Sequence, residues 1–415
     1  MNTEIDVKIT RLGAQGDGVA ESEGASLFVP YVLPGETVRV APQDGDRAAL
    51  LKVLEPSPSR IAAPCRHFRQ CGGCAVQHAA PDFYADWKHG LVSAALASRG
   101  IEAEVAPLVT AAPRSRRRAT FAATRTKKDV MLGYYARATH NIVAITECPL
   151  VVPEIEEALP ALARAVAPGL SRRSRASLLV TSTENGLDVA VTGGKPLDGA
   201  LRGELGHEAE ASGFARITWD GEIIAERLPP EISLSGLRVM LPPGGFLQPT
   251  RQGEAALVDL VREGVGKAKR IVDLYAGSGT FAAAFARTSF VHAVEGEKRA
   301  LAALDRAMRE QGPLLGLKPV TVETRDLARR PLLSSELNTF DAVVIDPPRS
   351  GALAQAEEIA RSSVPVVASV SCNPATFARD ARTLLDGGYQ LERVTPVDQF
   401  LWSPHLEVVG IFRRT

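Results

Sequence analysis

The sequence is short of three things, and each shortage narrows what the chain can be. Cysteine is scarce, five in 415 residues. That is too few for a disulfide-stapled scaffold, so in a reducing compartment a clustered set is better explained by metal binding or catalysis. Long apolar runs are missing: none approaches the ~18 residues of a membrane span. The start, Met1-Asn2-Thr3-Glu4-Ile5-Asp6, lacks the basic region and apolar core of a secretory signal. A cytoplasmic protein with no membrane partner is the expectation, and no protein partner is implied. Net charge is missing too. Lys plus Arg and Asp plus Glu both number 48, which argues against coating nucleic acid through overall charge and leaves only local basic patches. There is no fixed-period repeat, and apolar and charged fractions of 45% and 23% sit near globular averages, against wholesale disorder or a fibre.

What is present falls into three stretches, in keeping with a prior of about 150 residues per domain. Residues 1–56 carry the short alternating segments "DVKITRLG", "SLFVPYV", "ETVRVAP" and "AALLKVL", broken by Gly, Asp and Pro turns, the pattern of a small β-barrel. The Pro-rich "EPSPSRIAAP" reads as a linker. Residues 57–235 read as a mixed α+β unit, with the helix-spaced "DFYADWKHGLVSAALA" near its start. In residues 236–415 the segments "RIVDLYA", "FVHAVE", "PVTVET", "FDAVVID" and "PVVASVS" alternate with helical or turn-rich stretches, which predicts a parallel, doubly wound α/β sheet. "YQLERVTPV" and "LEVVGIFRR" should add an antiparallel pair at its edge.

"DLYAGSGTF" ends the first of these strands and enters a helix, where glycines let backbone approach a ligand closely. Glu295 ends the next strand, where a ribose-binding acid belongs. The loop alone is ambiguous between a nucleoside-containing cofactor and a structural turn. Asp273 just ahead of the glycines favours S-adenosylmethionine, whose ammonium group wants a nearby anion, over NAD, whose pyrophosphate would sit on the helix N-terminus. "VVIDPPRSG" ends the fourth strand and sets Asp346 beside the same crevice, although a turn aspartate is the bland alternative.

Cys372 ends the fifth strand in "SVSCNPATFARD", and Asn373-Pro374 start the next helix. A thiol near a helix N-terminus should have its pKa lowered, the environment of a nucleophile, whereas a buried cysteine without such neighbours is only a small hydrophobe. His405 and Glu407 lie at the start of the last strand, and as alternate residues they should look into one pocket. A thiolate, a carboxylate base and a methyl donor together define one reaction. Uracil C5 is a poor nucleophile until a thiolate adds to C6; the resulting enolate attacks an electrophilic methyl group, and a base then removes the C5 proton so that the thiol is eliminated.

At these residues the chain resembles the S-adenosylmethionine-dependent RNA uracil-C5 methyltransferases, α/β proteins with a class I, Rossmann-like seven-stranded domain. The likeness extends over nearly the whole chain. "SCNPATFARD" looks like the family's nucleophile motif, "DPPRSG" like its fourth motif, "DLYAGSGTF" like its glycine loop and "HLE" like its base motif. The resemblance implies Cys372 as nucleophile and Glu407 as the base. It implies Gln248 (the glutamine of "FLQPT"), Tyr275, Thr280, Glu295, Asp326 and Asp346 as contacts of S-adenosylmethionine. The sequence departs from the family pattern at Thr250, where asparagine is usual, at Leu401, where proline follows the phenylalanine, and at Thr280, where many members have asparagine. Cytosine-C5 enzymes carry a second cysteine in the segment that here reads Pro347-Pro348-Arg349, which counts against that reaction. A non-catalytic RNA-binding factor would have no use for Cys372, Glu407 and Asp346 together.

The other four cysteines form a separate set. Cys65-x5-Cys71-x2-Cys74, with Cys148 in "TECPL" as a distant fourth, offers four thiolates to one centre, and spacing alone leaves zinc and an iron–sulfur cluster open. The resemblance implies a [4Fe–4S] cluster, structural or RNA-orienting, because methyl transfer from a sulfonium needs no electron. The first 56 residues resemble the TRAM domain, an OB-like RNA-binding barrel. With nine acids against five bases this copy should bind by shape and a few local contacts. "PRSRRRATFAATRTKK", with seven Arg or Lys and no acid, could neutralise phosphates and offer Phe121 for stacking, or be a solvated face. The expected partner is an RNA substrate, ribosomal RNA foremost, with tRNA the nearest alternative.

Overall fold

The alternation near the N-terminus produces five antiparallel strands in the computed structural model, which describes residues 4–22 and 24–414. Their spatial order is Ala25–Pro30, Asp17–Ser22, Ile5–Leu12, Thr37–Pro42, Ala48–Glu55. Val7, Ile9, Val29, Val38 and Val40 meet inside. The amide of Phe28 donates to the Asp46 carbonyl at 2.7 Å, so the outer strands approach each other and the sheet curls into a half-closed barrel. "EPSPSRIAAP" is not a slack linker. Arg60 donates to the buried Glu36 carboxylate at 2.7 Å and to the Tyr31 carbonyl at 2.9 Å, and Ser57 N donates to Glu36 at 3.2 Å.

A seven-stranded sheet follows, ordered Glu222–Glu226, Arg216–Trp219, Gly186–Gly193, Arg175–Thr183, Arg118–Arg125, Val130–Tyr135, Ile142–Ala144. It is antiparallel except where Gly186–Gly193 meets Arg216–Trp219, the pair joined by the crossover helix Gly199–Ser212. Leu162 and Val166 from the helix Leu159–Val166, with Leu201 and Leu205 from the crossover helix, pack on Leu178, Val180 and Val191.

The C-terminal sheet has the order Val320–Thr324, Phe290–Glu295, Arg270–Leu274, Ala342–Ile345, Val366–Ser371, Glu407–Arg414, Tyr389–Asp398, Val109–Thr110. The five strands of the predicted α/β rhythm run parallel. The last strand is antiparallel and inserted between two others instead of forming an edge pair. Its first six residues, Glu407 to Phe412, are all buried, a continuous run that needs cover on both faces and therefore an interior place in the sheet.

Packing also crosses the boundary drawn at residue 236. Val92 and Leu96 of the helix Pro81–Ala97, with Ile101, join Phe377, Leu384 and Phe412 in one core. The hairpin Glu231–Leu234/Leu237–Met240 puts Ile232 and Val239 against the core on the other face of the sheet. Among the described residues no helix is long and apolar enough to cross a membrane.

Candidate active site

The strand Arg270–Leu274 has the second strand on one side and the fourth on the other, so the connections diverge there and open a crevice at the carboxyl ends, the usual ligand position in an open α/β sheet. Tyr275, Glu295, Asp346 and Cys372 each sit at or one residue past a strand end, and all line one cleft of about 800 Å³ together with Gln248, Thr280 and Glu407. The ladder explains how the two most distant of these meet. Ser371 pairs with Val408 as the last pair of the antiparallel ladder, so Cys372 and Glu407 come next on their two strands, near enough for the carboxylate to act on the thiol.

The glycine end of the cleft is tightly built. Tyr275, Gly277 and Gly279 all have positive φ, at 61°, 55° and 97°. A Cβ at Gly279 would come within 2.5 Å of Leu304 Cδ1, whereas one at Gly277 would project into open space. Glu295 braces this turn, accepting from Gly277 N at 2.9 Å and from Glu297 N at 2.8 Å. The Ser278 hydroxyl, buried in the wall, has no partner among the described residues. A curved backbone with an open face at Gly277, an unpaired hydroxyl and a nearby carboxylate fits the nucleoside and amino-acid parts of S-adenosylmethionine. Burial first, then Asp326, Asp380 and Glu295, push the Tyr275 phenol up to about 12.

Two of the acids stand outside the cleft wall. Asp273 does not line the cleft; it is buried and its Oδ2 accepts from Ala282 N at 2.9 Å, clamping the helix Thr280–Phe285 to the strand. Asp326 is also absent from the cleft wall. It is exposed beyond the third strand, where it accepts from Ala328 N at 3.1 Å and Arg329 N at 3.3 Å, near enough to Tyr275 to act on its phenol.

At the other end, Gln248 Nε2 donates to Asp346 Oδ2 at 3.2 Å and Gln399 Nε2 donates to Gln248 Oε1 at 2.8 Å, which fixes the Gln248 amide. Burial pushes Asp346 up to about 7, against the pull of the Gln248 hydrogen bond. Glu407, 4% exposed and with Oε2 unpartnered among the described residues, is raised well above the ordinary carboxylate range by burial and by Asp346. Cys372 was expected to have a lowered pKa. Instead burial, then Glu407 and Asp346, push it up to about 11, with Arg349 pulling back. The helix Pro374–Asp386 does begin beside it, capped by Asn373 Oδ1 accepting from Ala375 N at 3.1 Å, but a helix end contributes only about 0.3–1 kcal/mol.

Cys65, Cys71, Cys74 and Cys148 line a second cavity, of about 300 Å³. Burial raises the Cys65 and Cys71 thiols and pushes Cys74 up to about 12. Among the described residues no three His, Cys, Asp or Glu side chains converge closely enough to hold one metal ion. His405 belongs to this cavity and not to the cleft, so it parts from Glu407. It precedes the strand, where the alternation rule has no hold. Arg116 and Phe400 line both cavities and form the wall between them, with the guanidinium 5.6 Å from the ring centroid.

The basic run is divided by the strand Arg118–Arg125 and the residues leading into it. Arg117 is buried, paired with Glu254 at 2.6 Å and donating to the Gln248 carbonyl at 3.1 Å, so it supports the cleft and is closed to RNA. Phe121 is 1% exposed and packs on Tyr134, so it offers no stacking face. Sequence reasoning passed over Lys88. It is wholly buried, pairs with Asp398 at 3.1 Å and donates to the His405 carbonyl. The signal was there: Tyr84, Lys88, Val92 and Leu96 form the buried stripe of their helix, and a charge at such a position requires a partner.

This sheet order, with its inserted antiparallel strand, glycine turn and acids at the strand ends, defines a class I methyltransferase fold carried behind a small half-barrel. Comparison with known proteins narrows the class. The TRAM domain family matches residues 2–41, the tRNA (Uracil-5-)-methyltransferase family residues 317–415 and the family called conserved hypothetical protein 95 residues 234–363. The chain is 47% identical over 414 residues to an uncharacterized RNA methyltransferase of Rhizobium meliloti (strain 1021), covering 98% of this chain and 99% of that one. It is 32% identical over 426 residues to the 23S rRNA (uracil(1939)-C(5))-methyltransferase RlmD of Pectobacterium atrosepticum, covering 98% and 93%. The crystal structure of Pyrococcus abyssi tRNA (uracil-54, C5)-methyltransferase in complex with S-adenosyl-L-homocysteine shares the fold, with a TM-score of 0.75 at 23% identity over 98% of this chain and 99% of that one. The chain belongs to the TRAM-containing RNA uracil-C5 methyltransferase family, enzymes that use S-adenosylmethionine.

Proposed function

We propose that this enzyme methylates C5 of a uridine in 23S ribosomal RNA, with Cys372 as nucleophile and Glu407 as base. The observation that supports the assignment is that Cys372 and Glu407, which follow the last pair of one antiparallel ladder, line a single cleft with Gln248, Tyr275, Thr280, Glu295 and Asp346, the residues assigned to the cofactor. S-adenosylmethionine, when bound, supplies an electrophilic methyl group. The Cys372 thiolate would bond to uracil C6, moving the C5–C6 π electrons towards C5 and O4, and C5 would take the methyl group as its C–S bond breaks and that pair returns to the sulfonium sulfur, leaving a neutral thioether. Glu407 then removes the C5 proton; the C–H electron pair restores the C5–C6 double bond and the S–C6 pair leaves on sulfur. Proton affinity raised by burial suits Glu407 to that step. A cation in the cleft would offset the repulsion that Glu407 and Asp346 exert on the thiolate.

Trapping with RNA containing 5-fluorouridine tests the assignment. Wild type should form a covalent protein–RNA band and Cys372→Ala none, and trapping undiminished in Cys372→Ala would refute it. The ribosomal target rests on the 32% identity with RlmD over 98% of the chain. tRNA is the second reading, favoured by the description of the family matching residues 317–415. Mapping 5-methyluridine in both RNAs from a deletion strain decides between them, since only the true target loses the mark.

The same reading assigns a [4Fe–4S] cluster to Cys65, Cys71, Cys74 and Cys148. What supports it is that all four thiols line one cavity, a donor set that suits an iron–sulfur cluster as it does a zinc ion. The chain's own contacts there include Ala75 N and Val76 N donating to the Trp402 carbonyl at 2.8 and 3.2 Å, which tie this loop to the one that carries Phe400. Protein purified without oxygen should contain iron and sulfide; stoichiometric zinc instead would overturn the assignment.

A further inference from the structure

Beyond the cleft, the central sheet carries an open groove of about 430 Å³ that includes Arg125, Arg172, Arg173, Arg175, His140 and Asn141 in its wall. No Asp or Glu lines it, and among the described residues none of these four arginines has a carboxylate at ion-pair distance. In a chain whose acids and bases are equal in number, and in which exposed arginines such as Arg39, Arg202, Arg306 and Arg413 meet carboxylates, this groove gathers four arginines that do not. The turn that presents Arg172 and Arg173 is itself fixed: Ser171 N donates to Ser174 Oγ at 2.7 Å and Ser174 N to Ser171 Oγ at 3.0 Å. Beside the groove the exposed rings of Tyr135 and His140 meet edge to face at 6.1 Å, leaving apolar ring surface next to unpaired positive charge. Unpaired guanidinium groups with adjacent ring faces suit a flexible nucleic-acid strand, phosphates on the arginines and a base on a ring.

The position of the groove gives it a length scale. The eight-residue strand Arg118–Arg125 starts at the catalytic cleft, whose wall includes Arg118, and ends at the groove, whose wall includes Arg125. Seven steps of about 3.3 Å place the two sites about 23 Å apart, a span of about seven nucleotides at 3.4 Å per stacked nucleotide. We propose that this arginine groove is a second RNA-backbone site, which grips the substrate strand about seven nucleotides from the methylated uridine. The proposal rests on the enzyme acting on RNA, and it is independent of whether Cys372 and Glu407 carry the chemistry.

The test compares wild type, the triple variant Arg172→Ala/Arg173→Ala/Arg175→Ala and the matching triple lysine variant. Fluorescence anisotropy with labelled oligouridylates of 20 and 6 nucleotides is followed across a salt titration. Each lost phosphate contact removes about 0.7 from the slope of log K against log salt for a single strand. The alanine variant should therefore lose about 2 in slope on the 20-mer, bind the 6-mer as wild type does, and be rescued by lysine. Equal slopes for wild type and alanine variant on the 20-mer would overturn the proposal, as would an equal loss on the 6-mer, which would place the groove within the cleft's own contacts. Retained S-adenosylmethionine binding shows that the variants are folded. Trapping of a short 5-fluorouridine oligonucleotide by wild type reports separately on the Cys372 assignment.

Discussion

At the scale of single residues, competing magnitudes decide how the cleft behaves. A helix N-terminus beside Cys372 favours the thiolate by about 0.3–1 kcal/mol, less than a tenfold effect; burial and two carboxylates act the other way and hold the thiol near 11. Below that value the reactive fraction grows about tenfold per pH unit. Alkylation of Cys372 by iodoacetamide, followed by mass spectrometry of its peptide, should therefore accelerate steadily from pH 7 to pH 10 in protein without cofactor. Glu407→Gln removes the larger of the two charge contributions, so its profile should move to lower pH, and a profile unmoved by that change would contradict the pairing. Arg117 shows the opposite balance. Its charge is buried with Glu254, so Arg117→Ala leaves a carboxylate unpaired and should cost about 3–5 kcal/mol in urea unfolding. Arg117→Met combined with Glu254→Leu should recover much of that loss. The sequence displayed the run of arginines plainly, but the partner of Arg117 lies 137 residues away, and no local pattern names it.

At the scale of elements, the departures from the family pattern have local physical reasons. Thr250 is the N-cap of the helix Arg251–Val265, its hydroxyl accepting from Gly253 N at 2.9 Å. Asparagine caps by the same bond, so Thr250→Asn should leave the melting temperature nearly unchanged. Thr250→Ala should cost about 1 kcal/mol, measurable by thermal or urea unfolding. Leu401 packs with Leu33, Val76 and Tyr84 in a small core between the barrel and the helix Pro81–Ala97, a contact that gives the leucine an apolar task of its own. The parallel strands and the glycine turn were legible because their periodicity is local. The insertion of the last strand was not: "YQLERVTPV" and "LEVVGIFRR" pair as expected, but only the continuous burial of the second sends it to the interior of the sheet.

At the scale of the whole molecule, one buried network joins parts that the sequence sets far apart. Lys88 and Tyr84 of one helix both bond Asp398, while Trp402 N donates to the Tyr84 hydroxyl at 2.9 Å and the Trp402 carbonyl accepts from Ala75 N at 2.8 Å. The loop so held carries Phe400 to the wall shared by the cleft and the cysteine cavity, and leads into Glu407. Lys88→Met leaves Asp398 buried without its cation. It should lower stability by about 3–5 kcal/mol and reduce turnover more than S-adenosylmethionine affinity, read by unfolding, steady-state kinetics and calorimetry. Unchanged stability would mean that Asp398 finds another partner. The sequence by itself determined the elements, the strand-end positions of the cleft residues and the separation of Cys372 from the other four cysteines, because these depend on spacing along the chain. Only the tertiary structure decided that Cys372 comes near Glu407 in one cleft, that His405 turns to the other cavity, and that Arg117 and Lys88 are interior. Those outcomes depend on strand register and on packing between distant segments, which local periodicity does not specify.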